Sequence, residues 1–327
     1  MHSPSAPRVS VVVPLHQKGI YLSRALQSIF RQTMEDFEVI VVDDGSTDDG
    51  PRILREIVDA RLVVHRQDRQ GVSVARNRGV SLARAPWVAF LDADDEWLPK
   101  FLESTLRIAE TSSGISAAFS NLWDYPTRRP LLSRVDRQGP LVSDYFTTLV
   151  RNDGIGMSSS SVIVSKAHLI ACGAFADHAR HYEDMDLWAR LAWTGEVGFC
   201  EESLAIYHSE VPDSASKNVR DGIRPYPAVL HTYEEWNTKQ WIPERLRESS
   251  RRYANWFLAW NVMELAHQGL REEARQRLSS TQWRDSRNPY LWKAKVWTWL
   301  PTAVLRIGRR VRRELRSVPK DNQSLRS

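Results

Sequence analysis

The sequence is poor in cysteine. Cys172 and Cys200 are its two thiols, too few for a disulfide-rich secreted domain and without metal-ligand spacing, so buried free thiols in a reducing compartment are expected. Long apolar runs are missing as well. The amino end, MHSPSAPRVSVVVP, offers no stretch long enough for a signal peptide, and no later segment approaches the ~18 apolar residues of a membrane span. A cytoplasmic protein is the expectation. A strong charge of one sign is also lacking: the net charge is +5, its basic excess gathered near the carboxyl end, outside the part where the chemistry is expected, so charge alone decides nothing and no nucleic-acid partner is expected. At 42% hydrophobic and 26% charged over 327 residues, the chain has the composition of an ordinary globular protein, with room for one sizeable domain and an appendage.

The first half alternates short β-rich apolar runs with segments of helical period, which predicts an α/β fold with a mainly parallel sheet. Strands are expected over Val9–Pro14, Phe37–Val42, Arg61–His65 and Trp87–Leu91; the first two are nearly continuous apolar runs, as strands buried on both faces should be. Helices are expected over Tyr21–Arg31, after Pro51 with Ile53, Leu54, Ile57 and Val58 as the buried face, and over Val72–Arg84. Residues 121–151 break the pattern and read as a loop or small hairpin over the crevice. A strand at Ser160–Val164 and a helix at Glu183–Thr194 follow, the helix stopped by Gly195. Past about Pro225 the chain turns Trp- and Ala-rich and helical, notably at Arg252–His267 and Arg271–Leu278, with the small-residue spacing of a single helical-repeat hairpin.

Two carboxylate clusters follow strands: Asp43-Asp44 within VVDDGS and Asp92-Ala93-Asp94-Asp95 within FLDADD. In open α/β sheets the carboxyl ends of strands form the ligand crevice. Carboxylate oxygens suit Mg2+ or Mn2+ shared with a substrate phosphate. One Asp pair alone would be read as solvated turn residues, but two clusters in one sheet favour a site.

The string VSVVVPLHQKGIYLSRALQSIFRQTMEDFEVIVVDDGSTDDG, then GVSVARNRGV, then FLDADDEWLP resembles the inverting family 2 glycosyltransferases in order and spacing, over roughly the first two hundred residues. The resemblance implies a GT-A, Rossmann-like catalytic domain over residues 1–220, with nucleotide-sugar binding in 8–120 and the acceptor side in 121–220. Residues 221–327 would be a helical accessory region with a basic tail. It further implies transfer of a hexosyl group from a nucleoside diphosphate sugar, typically a UDP-sugar, to a hydroxyl acceptor such as a growing glycan or a lipid-linked sugar. Pro14 and Leu15 would lie beside the nucleotide, Asp44 would accept hydrogen bonds from base or ribose, and Asp43 would support the turn. Arg76 and Asn77 would border the nucleotide pocket; the competing reading is helix-surface polarity with Arg76 paired locally. Asp92 would meet ribose or metal-bound water beside Ala93. Asp94 would ligate the cation, on the assumption that the segment is extended and places Asp92 and Asp94 on one side, with Asp95 as alternative ligand. Within HYEDMDLW, Asp184 would be the general base and Glu183 its positioning partner, although both could equally serve the helix N-terminus. His208 would add a further metal or diphosphate contact, in a register that leaves Glu210 as a competitor.

Near the carboxyl end Trp292, Trp297 and Trp299 precede Leu305, Arg306, Ile307, Arg309, Arg310, Arg312 and Arg313, a mixture able to lie on an anionic membrane surface or to form a solvated basic helix. Other classes remain: a sugar nucleotidyltransferase, which lacks its Gly- and Arg/Lys-rich loop here; a receiver-like domain, whose acidic pair should follow the first strand; and an inactive nucleotide-binding module on a helical scaffold.

Overall fold

The computed structural model describes residues 6–177, 179, 182–212, 226–281, 284–285 and 287–300. They divide into two compact units, one running to Tyr253 and one from Ala254 onward that also takes in Tyr226.

The first unit opens with β1 (Val9–Leu15), α1 (Gly19–Phe30), β2 (Phe37–Asp44), α2 (Gly50–Glu56), β3 (Leu62–Gln67), α3 (Val72–Leu82) and β4 (Trp87–Phe90). It continues through β5 (Glu96–Trp97), α4 (Phe101–Ala109), β6 (Ile115–Tyr125), β7 (Arg129–Pro130), β8 (Arg137–Gln138), β9 (Leu141–Val142) and α5 (Tyr145–Arg151). A 3-10 turn at Ser159–Ser161 leads to β10 (Val162–Ser165), α6 (Lys166–Ala171), α7 (Glu183–Thr194), β11 (Glu196–His208) and α8 (Ala228–Thr238).

One sheet runs β3-β2-β1-β4-β10-β6-β11-β9-β8. β3, β2, β1 and β4 are parallel, β10 is antiparallel to both neighbours, and β6 and β11 are parallel again. This is the α/β sheet expected. Alternate residues of β1, β2 and β4 feed a core with α1 and α4 that includes Val11, Val13, Leu22, Leu26, Ile29 and Phe101. The opposite face packs α3 so closely that a Cβ on Gly79 would stand 2.3 Å from Val12 Cγ1. Every residue of β2 is buried, in keeping with its nearly continuous apolar run, which Glu38 interrupts.

Several expectations need correction. α2 ends at Glu56, and Val58 is 98% exposed rather than part of a buried face. The third expected strand is present as β3, at one edge of the sheet, with Val63 and Val64 out to solvent. Residues 121–125 belong to β6, and 145–151 form α5, whose cap Asp144 accepts from Thr147 N; only the β7 and β8–β9 pairings match a hairpin reading. α4, the start of β6 and most of β11 carried no expectation. In β6 the segment ISAAFSN is built of small and polar residues. In β11 the charged Glu201-Glu202 pair falls at a bulge between Cys200 and Ser203, which hides the alternation.

α9 (Glu244–His267) starts in the first unit and ends in the second, where α10 (Arg271–Ser280) and α11 (Pro289–Trp299) follow. Phe257, Leu258, Val262, Leu265, Ala274 and Leu291 are buried there. Asn261 accepts a hydrogen bond from Arg277 at 2.6 Å. Among the described residues no helix is long and apolar enough to cross a membrane.

Candidate active site

β1 is flanked on one side by β2 and on the other by β4, and the chain order reverses there, so the carboxyl ends of these strands open a crevice. Leu15 pairs in register with Asp43 and Pro14 with Val42, which brings the expected nucleotide residues of two strands together. Asp43 is buried, accepts from Ser46 N at 2.8 Å and faces Arg66 at 3.3 Å. Gly45, at φ +73°, lets the chain turn away immediately after Asp44. The Asp44 carboxylate accepts from Gln67 Nε2, Gln70 N and Gly71 N, each at 2.8 Å, and so ties the strand end to the entrance of α3.

The Asp92–Asp95 segment is a tight turn, closed by Asp95 N donating to Asp92 O at 3.0 Å, and is not extended. Its carboxylates consequently diverge. Asp92, the most open, meets Arg76 at 2.8 Å; Asp94 meets Lys18 Nζ at 2.8 Å, and Arg24 donates to its carbonyl. Ala93 is buried. Asp95 is 2% exposed, takes the Ser160 hydroxyl at 2.5 Å and the His208 N–H at 3.0 Å, and has its pKa pushed well above the usual carboxylate range by burial and then by the charges of Asp92 and Asp94. Ser160 also receives Asp92 N at 3.2 Å, and Trp97 Nε1 donates to its carbonyl at 2.7 Å.

Arg76 joins the two halves of the site. It is 4% exposed, lies over the Phe175 ring at 5.2 Å, and divides its guanidinium between Asp92 and, at 3.0 Å, Glu183 at the start of α7. Burial alone would weaken its charge, but Asp92 and Glu183 hold it more basic than usual. The local ion-pair reading of Arg76 is thus what the structure shows. Asn77 turns away: its amide donates to Phe175 O and Asp177 Oδ1 and accepts from Phe175 N, so it fastens the loop that carries Phe175.

Asp184 accepts from Met185 N at 2.8 Å. Burial, then the neighbouring Glu183 charge, push its carboxyl up to about 7, with Arg76 acting in the opposite sense. A carboxyl poised there can exchange a proton near neutral pH.

His208 is buried, with Nδ1 2.8 Å from Glu210 and Nε2 3.0 Å from Glu96, and its ring against Tyr125. The competitors for one position are thus hydrogen-bonded to each other. Among the described residues no three His, Cys, Asp or Glu side chains converge on a metal position, so Asp94, Asp95 and His208 do not form one ligand set. The donor chemistry that remains, the Asp94 carboxylate, is hard oxygen. It fits a Mg2+ or Mn2+ that draws most of its shell from a phosphate and water rather than from a protein cage.

Lys18, Arg24, Ser160, Glu96 and Phe175 carried no expectation as site residues, and Ser160, expected to open a strand, sits in the 3-10 turn before β10. Their roles depend on contacts between positions 63 to 112 residues apart in the case of Ser160 and Glu96, which no local spacing encodes. Lys18 and Arg24, six apart and flanking Tyr21, were the one visible signal, since both cations lie near that ring at 5.7 and 5.6 Å.

The sequence model of the family described as Glycosyl transferase family 2 matches residues 10–148. A PGL/p-HBAD biosynthesis glycosyltransferase of Mycobacterium bovis is 45% identical over 94 residues, 28% of this chain and 37% of that protein. An uncharacterized glycosyltransferase of Nostoc, alr2836, is 30% identical over 150 residues, 45% of this chain and 46% of its own length. The chain thus spans less than half the length of these curated relatives. Among solved structures, Staphylococcus aureus TarS 1-349 in complex with UDP-GlcNAc superposes with a TM-score of 0.69 at 15% identity, covering 93% of this chain and 92% of that one. The mannosyltransferase PcManGT of Pyrobaculum calidifontis, in complex with GDP-Man and Mn2+, gives 0.57 at 17% identity, covering 96% and 89%. With its motifs gathered at the ends of β1, β2 and β4, the chain matches the glycosyl transferase family 2 model over residues 10–148, and its sheet has the fold of the GT-A structures it superposes on.

Proposed function

We propose that this protein is an inverting glycosyltransferase that moves a sugar from a nucleoside diphosphate sugar, UDP-linked, to a hydroxyl acceptor in polysaccharide or glycoconjugate synthesis. The observation that carries the reading is the Arg76 bridge, which sets the carboxylates of Asp92 and Glu183 about one guanidinium, with the raised carboxyl of Asp184 next to Glu183. Solved folds of this kind are recorded with UDP-GlcNAc, UDP or GDP-Man, which supports a nucleotide-linked donor.

In this reading Pro14, Leu15, Asp43 and Asp44 hold the nucleoside, and Asp94 would hold a divalent cation. When bound, that cation offsets the charge growing on the departing diphosphate. The acceptor oxygen forms its bond to the anomeric carbon from the face opposite the leaving group, the bond to the diphosphate oxygen breaks, and configuration inverts. Asp184 takes the acceptor proton, and Glu183, fixed by Arg76, keeps it in place. Donor and acceptor chemistry belong to residues 1–220, with the helical region after them as accessory, and the chain works in the cytoplasm with peripheral contact to a membrane surface through its carboxyl-terminal tail.

The deciding experiment is a donor panel read by nucleoside diphosphate release, with wild type and Asp184→Asn. Asp184→Asn should lose about 10²- to 10⁴-fold in transfer and keep its affinity for nucleotide, because an Asn oxygen still accepts from Met185 N. Undiminished transfer by that variant would sink the assignment of the base, and absence of release with every donor would sink the activity.

A further inference from the structure

α11 has two contrasting faces. Leu291, Ala294 and Thr298 are buried. On the other side Trp292 and Trp299 are 68% and 69% exposed, with Val296 at 39% between them. Positions 292, 296 and 299 recur at i, i+4 and i+7, so the three side chains form one stripe. A single exposed apolar residue is ordinary, whereas two indoles and a valine aligned on one helix make a patch. Cations rim it. The Arg275 guanidinium lies over the Trp299 ring at 4.9 Å, and Lys293 and Lys295 are exposed beside the stripe. The sequence holds no acidic residue between Asp285 and Glu314, and this span also carries Arg306, Arg309, Arg310, Arg312 and Arg313, which lie outside the described residues.

We propose that the Trp292–Val296–Trp299 stripe is a docking face for an anionic lipid surface, its indoles entering the headgroup boundary while Arg275, Lys293 and Lys295 meet lipid phosphates. It rests on the reading of peripheral membrane contact but places the apolar anchor on α11 instead of in the tail. Indoles suit the interface because a large apolar ring carries one N–H donor that headgroups and water can satisfy. Cations around such an anchor add attraction of ~1 kcal/mol each close to an anionic leaflet. A lipid surface is favoured over a protein or RNA partner because the stripe is the convex side of one helix. Insertion into lipid needs no complementary groove, and apart from Glu272, which pairs with Arg275 at 2.8 Å, the charges beside the stripe are cationic.

The test is flotation of the full-length protein with phosphatidylcholine vesicles, with and without phosphatidylglycerol. It compares wild type, W292A/W299A, W292F/W299F and the tail variant R309E/R310E/R312E/R313E. Wild type should float with the anionic vesicles and not with phosphatidylcholine alone. W292A/W299A should weaken that partition about tenfold or more, and W292F/W299F should recover part of it, all with unchanged melting temperature because these side chains are exposed. Equal partition of W292A/W299A and wild type overturns the proposal; if the tail variant alone then fails to float, contact through the tail stands without it. Failure of wild type to float removes both, and wild type that binds RNA or an acidic protein but no vesicle likewise overturns the lipid assignment.

Discussion

Asp184 ties stability and chemistry to the same proton. Its folded-state pKa, about 7, lies above the ~3.9 of an unfolded aspartate, so the fold favours the neutral form. The stabilisation from this group is complete below about pH 4 and is lost as pH rises through about 7. The proposed role of Asp184 as base uses the other form, so on that reading kcat/KM should climb with pH through about 7 and level above it, as a property of the Glu183–Asp184 pair. Thermal melts should then show Asp184→Asn gaining on wild type more at about pH 8 than at about pH 5. A gap independent of pH would show that the carboxyl is not strained. Lys18 offers a second residue-scale prediction. Its ammonium sits 2.8 Å from Asp94, where a divalent cation would be held. Lys18→Met should therefore bind Mn2+ several-fold more tightly in calorimetry without nucleotide, and an unchanged affinity would place the cation elsewhere.

At the scale of elements, α3 is the part whose position matters most to the site. It enters from the loop that Asp44 ties down, leans on β1 through Gly79, and delivers Arg76 one turn earlier. A methyl at position 79 would meet Val12 Cγ1 at 2.3 Å, so the helix must lift from the sheet. Gly79→Ala should cost about 1–3 kcal/mol in urea unfolding and should depress transfer beyond the effect on stability, because a displaced Arg76 no longer spans Asp92 and Glu183. Transfer that remains at wild-type level in the folded variant would separate the helix position from the site. α7 is held from its other end, where Trp193 donates to Ser250 Oγ at 2.9 Å and stacks near Trp236. Those contacts, distant in sequence, fix the helix whose first turn carries Glu183 and Asp184.

For the molecule as a whole, the charge balance is functional information only in combination with position. A net +5 spread evenly would say little, but the basic excess lies toward the carboxyl end, after α11. Vesicle binding should accordingly weaken as salt is raised from about 0.05 M to about 0.3 M, since screening shortens the reach of exposed charge; salt-independent binding would leave insertion of the tryptophans as the sole attraction. By itself the sequence determined the parallel half of the sheet, because β1, β2 and β4 are buried on both faces and read as apolar runs, and it located both acidic clusters at strand ends. It also carried the resemblance to glycosyl transferase family 2 over residues 10–148, through motifs whose order is local. What it could not convey were α4, β6 and the bulged β11, where small residues and a Glu-Glu pair mask the period. Nor could it show that Asp92 and Asp94 diverge at a turn, that Asn77 clamps a loop, or that His208 pairs with Glu96 and Glu210. Periodicity records which side of an element faces the core. Which side chains meet across the crevice depends on long-range packing, and that packing alone put Arg76 between Asp92 and Glu183, positions 16 and 107 residues away from it along the chain.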